Sequence, residues 1–539
     1  MGRVILENNN NQAFIKGTVI LLTANIITKL FGMLFKIPLT YLIGEEGMGI
    51  FSTAYTMYSF MFIIATAGLP VAVSKMVSES ESLKNTDESR QILKVSATVL
   101  TIIGVLGSAF LFFGAEFLAN AINCPVAASS IRAVSPAIFF VGVMSAFRGF
   151  FQGHQDMIPT AFSEVTESVG KLIFGYGLSY WFLTSAAVPL KMQMGAAGAV
   201  LGVSVGTFLA CGVIIAMFFK RKKTLFKYSK EKCTRKKSEI AKTLLIIAIP
   251  ITLGASVFSL TSIIDMAMIM RRLQVAGFDH IKSTALYGSY TGYAVPLFNM
   301  PPTLISSISI SIVPAIASAY VEKNKDLVKK TTLLAIKVTT IFALPCAVGI
   351  AILAEPILNL VYKNASSAKS LSILGYAIVF VSLVMVTNAI LQAMRKERIP
   401  VINMAIGGVF KIVINYILVA VPGININGAP VGTICCYVII LSLNLCFIIK
   451  EMRIGFNISE FIVKPVICVA VMAVGVLFVN RLTSSMHYAI SVLLSIGAGA
   501  IVYFIMIFAL KTVNYDDILM VPKGEKIADI MVKFKIINK

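Results

Sequence analysis

Charge is what this sequence has least of. Asp, Glu, Lys and Arg make up 13% of its 539 residues, where a soluble globule carries about 25%. Histidine occurs three times and tryptophan once, so a metal centre or acid–base site built on imidazoles has almost nothing to draw on. The eight cysteines show no ligand spacing. Most of them (Cys211, Cys346, Cys435, Cys436, Cys446, Cys468) sit inside apolar runs and read as small core residues rather than ligands or disulfide partners. The first apolar run follows a polar, Asn-rich start, carries Lys29 and Lys36, and lacks a small-residue cleavage site, which argues against a removed signal peptide.

What the chain has instead is hydrophobic mass: 57% apolar residues and a mean hydropathy of +0.86. It is spread over the whole length in runs of about 20 residues, each able to cross a ~30 Å hydrocarbon core as a helix. The pattern predicts an all-α integral membrane protein with fourteen spans, at about 14–41, 47–75, 92–113, 131–151, 160–184, 195–219, 243–270, 285–320, 331–353, 370–393, 400–421, 428–449, 461–479 and 488–510. With the N-terminus inside, the inner connections hold 32 Lys and Arg and the outer ones eight. The positive-inside rule then expects a multi-pass plasma-membrane protein with both termini cytoplasmic. The net charge of +22 is thereby largely topological, and no nucleic-acid partner is needed to explain it. The basic run 220–242 reads as a solvated link, lying on anionic headgroups if anything.

Three regions recur in order. Ala115-Glu116 and Asn120 return as Ala354-Glu355 and Asn359; Pro70, Ser74 and Val77 return as Pro314, Ser318 and Val321. The reversal Arg148-Gly149-Phe150-Phe151-Gln152-Gly153-His154-Gln155, restarting at Pro159, has a degraded copy running to Gln392 and Pro400. Arg148, Gln152, Gly153, Pro159, Gln392 and Pro400 are therefore candidate hinge residues on the inner side. An even number of spans separates the copies, so they share an orientation. The expected domains are a first lobe at 1–219, a basic linker at 220–242, a second lobe at 243–449, and two further helices with a tail at 450–539. Two similar lobes suggest alternating access about a central site; a duplicated scaffold without transport is the plainer alternative.

Seven basic residues remain inside spans: Lys29, Lys36, Lys75, Arg148, Lys171, Lys337 and Lys411. Each costs several kcal/mol at the bilayer centre unless paired or hydrated. Lys29 and Lys36 lie about two turns apart on one helix face. Lys171 follows Glu167 at i+4 and Glu164 at i+7, so an internal salt bridge and a ligand site are equally good readings. Lys75 and Arg148 lie near span ends and are expected to snorkel. The first lobe is the basic one, and a cavity lined by it favours an anion. Asp265 in the seventh span is a candidate counter-charge or coupling site, as is Glu167 through its pairing.

The phrases Arg148 to Gln155 with Pro159-Thr160-Ala161, Ser135-Pro136-Ala137, Gly68-Leu69-Pro70-Val71-Ala72-Val73-Ser74-Lys75, and Thr28-Lys29-Leu30-Phe31-Gly32 resemble the stage V sporulation protein B and MurJ-like branch of the multidrug/oligosaccharidyl-lipid/polysaccharide exporter superfamily. The resemblance covers essentially the whole chain. It implies fourteen helices in two lobes and export of an undecaprenyl-pyrophosphate-linked glycan, foremost the peptidoglycan precursor lipid II. Lys29 matches a basic position that the family uses near the diphosphate, and Lys36 falls within one residue of a second; Lys171 is a further candidate. The chain departs from the Gram-negative MurJ pattern at Ser59 to Phe62 and Tyr290 to Pro296, which hold no arginine where that branch has cavity arginines.

The expected activity is flipping without bond breakage and without a cofactor, driven by Na⁺, H⁺ or the membrane potential. The expected partners are the lipid-linked glycan, the bilayer and the cell-wall synthesis machinery, with the chain a monomer. A cation multidrug antiporter would need a carboxylate-lined cavity. A membrane glycosyltransferase would need acids or a metal at the membrane surface, where Glu355 and Asp279 are the nearest candidates.

Overall fold

The computed structural model describes residues 2–83, 85–187, 190–226, 235–453, 455, 459–483, 486–510 and 512. Residues 227–234 of the basic link and nearly all of the tail, 513–539, lie outside them. Among the described residues the secondary structure is helical, with no strand. The chain divides at Gly292 into two compact units.

The first unit contains α1 (Gly2–Thr66), α2 (Leu69–Ser82), α3 (Thr86–Phe113), α4 (Ala115–Ala121), α5 (Ala128–Gly153), α6 (Ile158–Ser185), α7 (Lys191–Leu225), α8 (Lys237–Val275) and α9 (His280–Ser289). Helix α1 runs through the first two expected spans, and Gly44 at φ 61° and ψ −167° breaks its helical geometry between them. Only glycine enters that region without penalty. The second expected span is itself interrupted at Ala67-Gly68. A side chain at Gly68 would meet the Ala248 carbonyl of α8 at 2.2 Å, so the interruption is where the two backbones touch.

The second unit contains α10 (Val295–Val321), α11 (Lys325–Ile352), α12 (Ala354–Tyr362), α13 (Ala368–Ala393), α14 (Arg398–Leu418), α15 (Gly428–Met452), α16 (Lys464–Leu482) and α17 (Tyr488–Ala509). The eighth expected span divides into α9, a π-helical turn at Tyr290–Ala294 and the proline-rich α10. Large apolar side chains such as Leu477, Phe478, Leu493, Ile501 and Phe504 face outward on α16 and α17, as suits helices solvated by acyl chains.

The two units repeat one packing scheme. In the first, α5 is the hub for α2, α3 and α7, and α6 lies on α7; in the second, α13 is the hub for α10, α11 and α15, and α14 lies on α15. The duplicated reversal is reproduced bond for bond. Gln155 N–H donates to the Gln152 carbonyl (2.9 Å) and Asp156 N–H to Phe151 (3.0 Å); Arg395 donates to Gln392 (2.9 Å) and Lys396 to Leu391 (2.9 Å). Gln155 and Arg395 both take a left-handed conformation, at φ 59° and 60°.

Two differences from the sequence reading have physical causes. Eleven helices among the described residues are long and apolar enough to span a membrane, rather than fourteen. Thr23–Ser82 counts as one stretch although Gly44 breaks its helical geometry and Ala67-Gly68 separates α2; α6, though long, is diluted by Glu164, Glu167, Lys171 and its glycines and serines; and the eighth expected span is divided between α9 and α10. The contact division at Gly292 also falls beyond the expected linker, because α8 packs on α1, α2 and α3, and α9 on α1.

Candidate functional site

The site is built on the α5–α6 hairpin. Gly149 and Gly153 let α5 come down onto α2: a Cβ at Gly149 would lie 2.6 Å from the Pro70 carbonyl, and one at Gly153 would lie 2.6 Å from Val77 Cβ. Gly198, Gly202 and Gly206, one turn apart on α7, do the same against α6, with the Gly202 position 2.1 Å from Gly175 Cα and the Gly206 position 2.8 Å from the Glu167 carbonyl. In lipid, where apolar burial does not drive association, small residues permit the close packing that holds helices together. The turn itself is fastened by Arg221 on Asp156 and by His154, whose Nδ1 stands 3.0 Å from the Phe150 carbonyl oxygen.

This packing brings four polar side chains into one buried cluster. Arg148 donates from Nε to Ser163 Oγ at 2.9 Å and from Nη2 to Glu167 Oε2 at 3.3 Å. Lys171 Nζ donates to the other oxygen of Glu167 at 2.7 Å. Arg148 is 8% exposed and Glu167 6%. One carboxylate thus bridges two cations, and Glu164 lies close enough to Arg148 and Glu167 to feel both charges. A Glu164 oxygen is buried and makes no hydrogen bond among the described residues. Tyr55 and Tyr58 of α1 lie within electrostatic reach of Lys171. Leaving either cation there unpaired costs several kcal/mol, so the cluster is a lock as well as a charge site.

The expectation that Arg148 snorkels from a span end is overturned: it points into the protein, because α6 returns alongside α5 and presents Ser163 and Glu167 to it. For Lys171 the internal salt bridge is present, with Nζ 2.7 Å from Glu167. Lys75 stays 60% exposed, with Glu79 at 3.9 Å. Lys29 is exposed and Lys36 half-buried on the first part of α1; among the described residues neither is salt-bridged. They are not brought into the Arg148 cluster. Asp265 is half-buried in the last third of α8. Gln152 and Gly153 end α5, and Pro159 occupies the first turn of α6. Gln392 and Pro400 hold the corresponding places at α13 and α14.

The second unit has a cluster that the sequence reading missed. Asn388, Asn403 and Lys411 stand 240 residues after Arg148, Ser163 and Lys171. Asn444 of α15 accepts from Asn403 (2.8 Å) and donates to Asn388 (2.8 Å) and Thr387 (3.0 Å). An amide network in the second half thus occupies the places that Arg148 and Ser163 hold in the first. Three asparagines inside apolar runs were the signal; the spacing of Asn388 and Asn403 from Arg148 and Ser163 connects two of them to the first half.

Comparison with known proteins places this geometry. The polysaccharide biosynthesis protein family matches residues 14–320, and the MatE family matches 289–417. Stage V sporulation protein B of Bacillus subtilis (strain 168) is 24% identical over 95% of this chain and 98% of its own. The lipid II flippase MurJ of the same organism is 28% identical over 92% of this chain and 94% of its own. Among solved structures, the lipid II flippase MurJ in an inward closed conformation superposes with a TM-score of 0.69 at 17% identity, over 90% of this chain and 98% of that one. An inward-facing multidrug resistance MATE family transporter gives 0.65 at 16%, over 81% and 98%. The duplicated hub-and-hairpin helical bundles and these matches lead to one conclusion: the chain belongs to the polysaccharide biosynthesis protein family.

Proposed function

We propose that the chain flips an undecaprenyl-pyrophosphate-linked glycan, foremost lipid II, from the inner to the outer leaflet of the plasma membrane, with both termini cytoplasmic. The observation that carries the reading is the state of the first-helix lysines. Arg148 and Lys171 are committed to Glu167, whereas Lys29 and Lys36 have no carboxylate against them among the described residues and stay available to an incoming anion. The similarity to a lipid II flippase along nearly the whole chain supports the same cargo.

In this reading Lys29 and Lys36 hold the diphosphate through charge-assisted hydrogen bonds, the sugars follow, and the polyprenyl tail stays in lipid. Alternating access of the two halves moves the headgroup. The movement draws on Na⁺, H⁺ or the membrane potential, with Asp265 the candidate coupling carboxylate. The test is reconstitution into liposomes with labelled lipid II and a panel of other polyprenyl-pyrophosphate glycans, scoring which become accessible from the opposite leaflet. Transport of lipid II alone fixes the cargo; transport of another glycan in its place keeps the class and changes the name. Export of small cations without any glycan removes the reading in favour of a multidrug transporter.

A further inference from the structure

The second unit contains a basic cavity that plays no part in the reading above. It has a volume of about 810 Å³ and lies where the end of α10, the start of α11, the end of α13 and the end of α15 meet. Lys323, Lys325, Lys329, Lys450 and Arg453 line it, against one carboxylate, Glu451. That carboxylate is already taken by Lys396 at 3.5 Å. None of the five lining cations is salt-bridged among the described residues. Glu322 and Asp326, in the same turn, do not line the cavity.

Basic residues at helix ends are ordinarily topological and solvated. The internal repeat supplies the comparison that separates this place from an ordinary basic edge. The turn between α2 and α3 has the same frame as that between α10 and α11: Asn85 caps the Glu88 N–H as Asn324 caps that of Leu327. Asn85 N–H donates to Ser80 as Asn324 does to Ala319. In the first unit that junction is packed shut. Thr86 and Ser89 are buried, and Phe226 lies under Arg90 at 5.4 Å and against Phe150 at 5.9 Å. Glu88 takes Arg235 at 3.1 Å. In the second unit Lys325 and Lys329 replace Thr86 and Arg90, Met394 replaces His154, and the space is open.

We propose that this cavity binds a phosphate-bearing anion at the face of the second unit that the lysine and arginine distribution assigns to the cytoplasm. The converging ammonium groups and the Arg453 guanidinium form a concave, singly signed field suited to several phosphate oxygens at once. The ligand is either the headgroup of an anionic phospholipid or a free phosphorylated solute; both present the same oxygens. The proposal is independent of the transported cargo.

The test uses the full-length protein and two probes. Inorganic pyrophosphate is titrated onto detergent-solubilised protein, and retention of phosphatidylglycerol is read by native mass spectrometry after exchange from mixed phosphatidylglycerol and phosphatidylcholine nanodiscs. Lys329→Gln with Lys450→Gln should weaken at least one probe by about tenfold or more. Lys330→Gln, an exposed lysine of the same helix outside the cavity, should leave both unchanged. Dependence for phosphatidylglycerol alone assigns a lipid headgroup; dependence for pyrophosphate assigns a free phosphate compound. Equal binding by wild type and double variant, or equal loss in the Lys330→Gln control, overturns the proposal. Unchanged monodispersity of the double variant guards against loss through misfolding.

Discussion

Glu167 decides more about the first unit than any other single side chain, since it neutralises Arg148 and Lys171 together. Glu167→Gln leaves two buried cations facing an amide, and unfolding in detergent should show a loss of about 3–5 kcal/mol. Adding Arg148→Asn, the residue type of the second half, should restore part of that loss, because a pair removed together leaves less uncompensated charge than a pair broken. Lys29 gives the opposite split. It is exposed, so Lys29→Ala should change stability by no more than about 0.5 kcal/mol while flipping in liposomes disappears; full flipping by that variant removes the anion-site reading. The Lys171–Glu167 pair was legible from its i+4 spacing. Arg148 was not, because its partners lie on the returning helix of a hairpin whose closeness depends on glycines packing elsewhere.

At the scale of elements, the helices are held by small residues where backbones touch. Gly202 and Gly212 sit on the same helix, yet a Cβ at Gly202 would lie 2.1 Å from Gly175 Cα while one at Gly212 meets nothing within 4 Å. Gly202→Leu should therefore abolish accumulation of folded protein, since the clash is with backbone and exceeds the roughly 1–3 kcal/mol of ordinary overpacking. Gly212→Leu should accumulate normally, as size-exclusion profiles would show. The reversal at 152–159 and its copy at 392–400 were readable because turn residues and proline interrupt the apolar pattern. The break at Ala67-Gly68 and the π turn at Tyr290–Ala294 were not: composition stays apolar through both, and what fixes them is tertiary contact and local hydrogen bonding.

At the scale of the molecule, the repeat in sequence and the division in contacts do not coincide. Duplication puts the seventh span at the head of the second half, whereas α8 and α9 spend their contacts on α1, α2 and α3. A chain cut within 227–234 should accordingly stay associated after detergent extraction, with the fragment beginning at α8 co-purifying with the tagged first fragment. Release of the two pieces on extraction would show those contacts to be too weak to hold α8. The sequence signals for the membrane class and the duplicated order were strong because hydropathy and charge asymmetry act over the whole chain. Where α8 docks was not signalled, since an all-round apolar helix has no face that names its neighbour.

The charged hairpin also sets an order on biogenesis. Arg148 leaves the ribosome 19 residues ahead of Glu167, so α5 by itself offers the bilayer an unneutralised guanidinium near its end, at a cost below the roughly 2.5–3.5 kcal/mol of a helix-centre arginine on insertion scales. The two helices should therefore partition into lipid together, α5 waiting in the insertion channel until α6 follows. Its amide counterpart in the second half imposes no such wait, and nascent chains truncated after α5 and after α13 should differ accordingly in how completely the last helix is integrated.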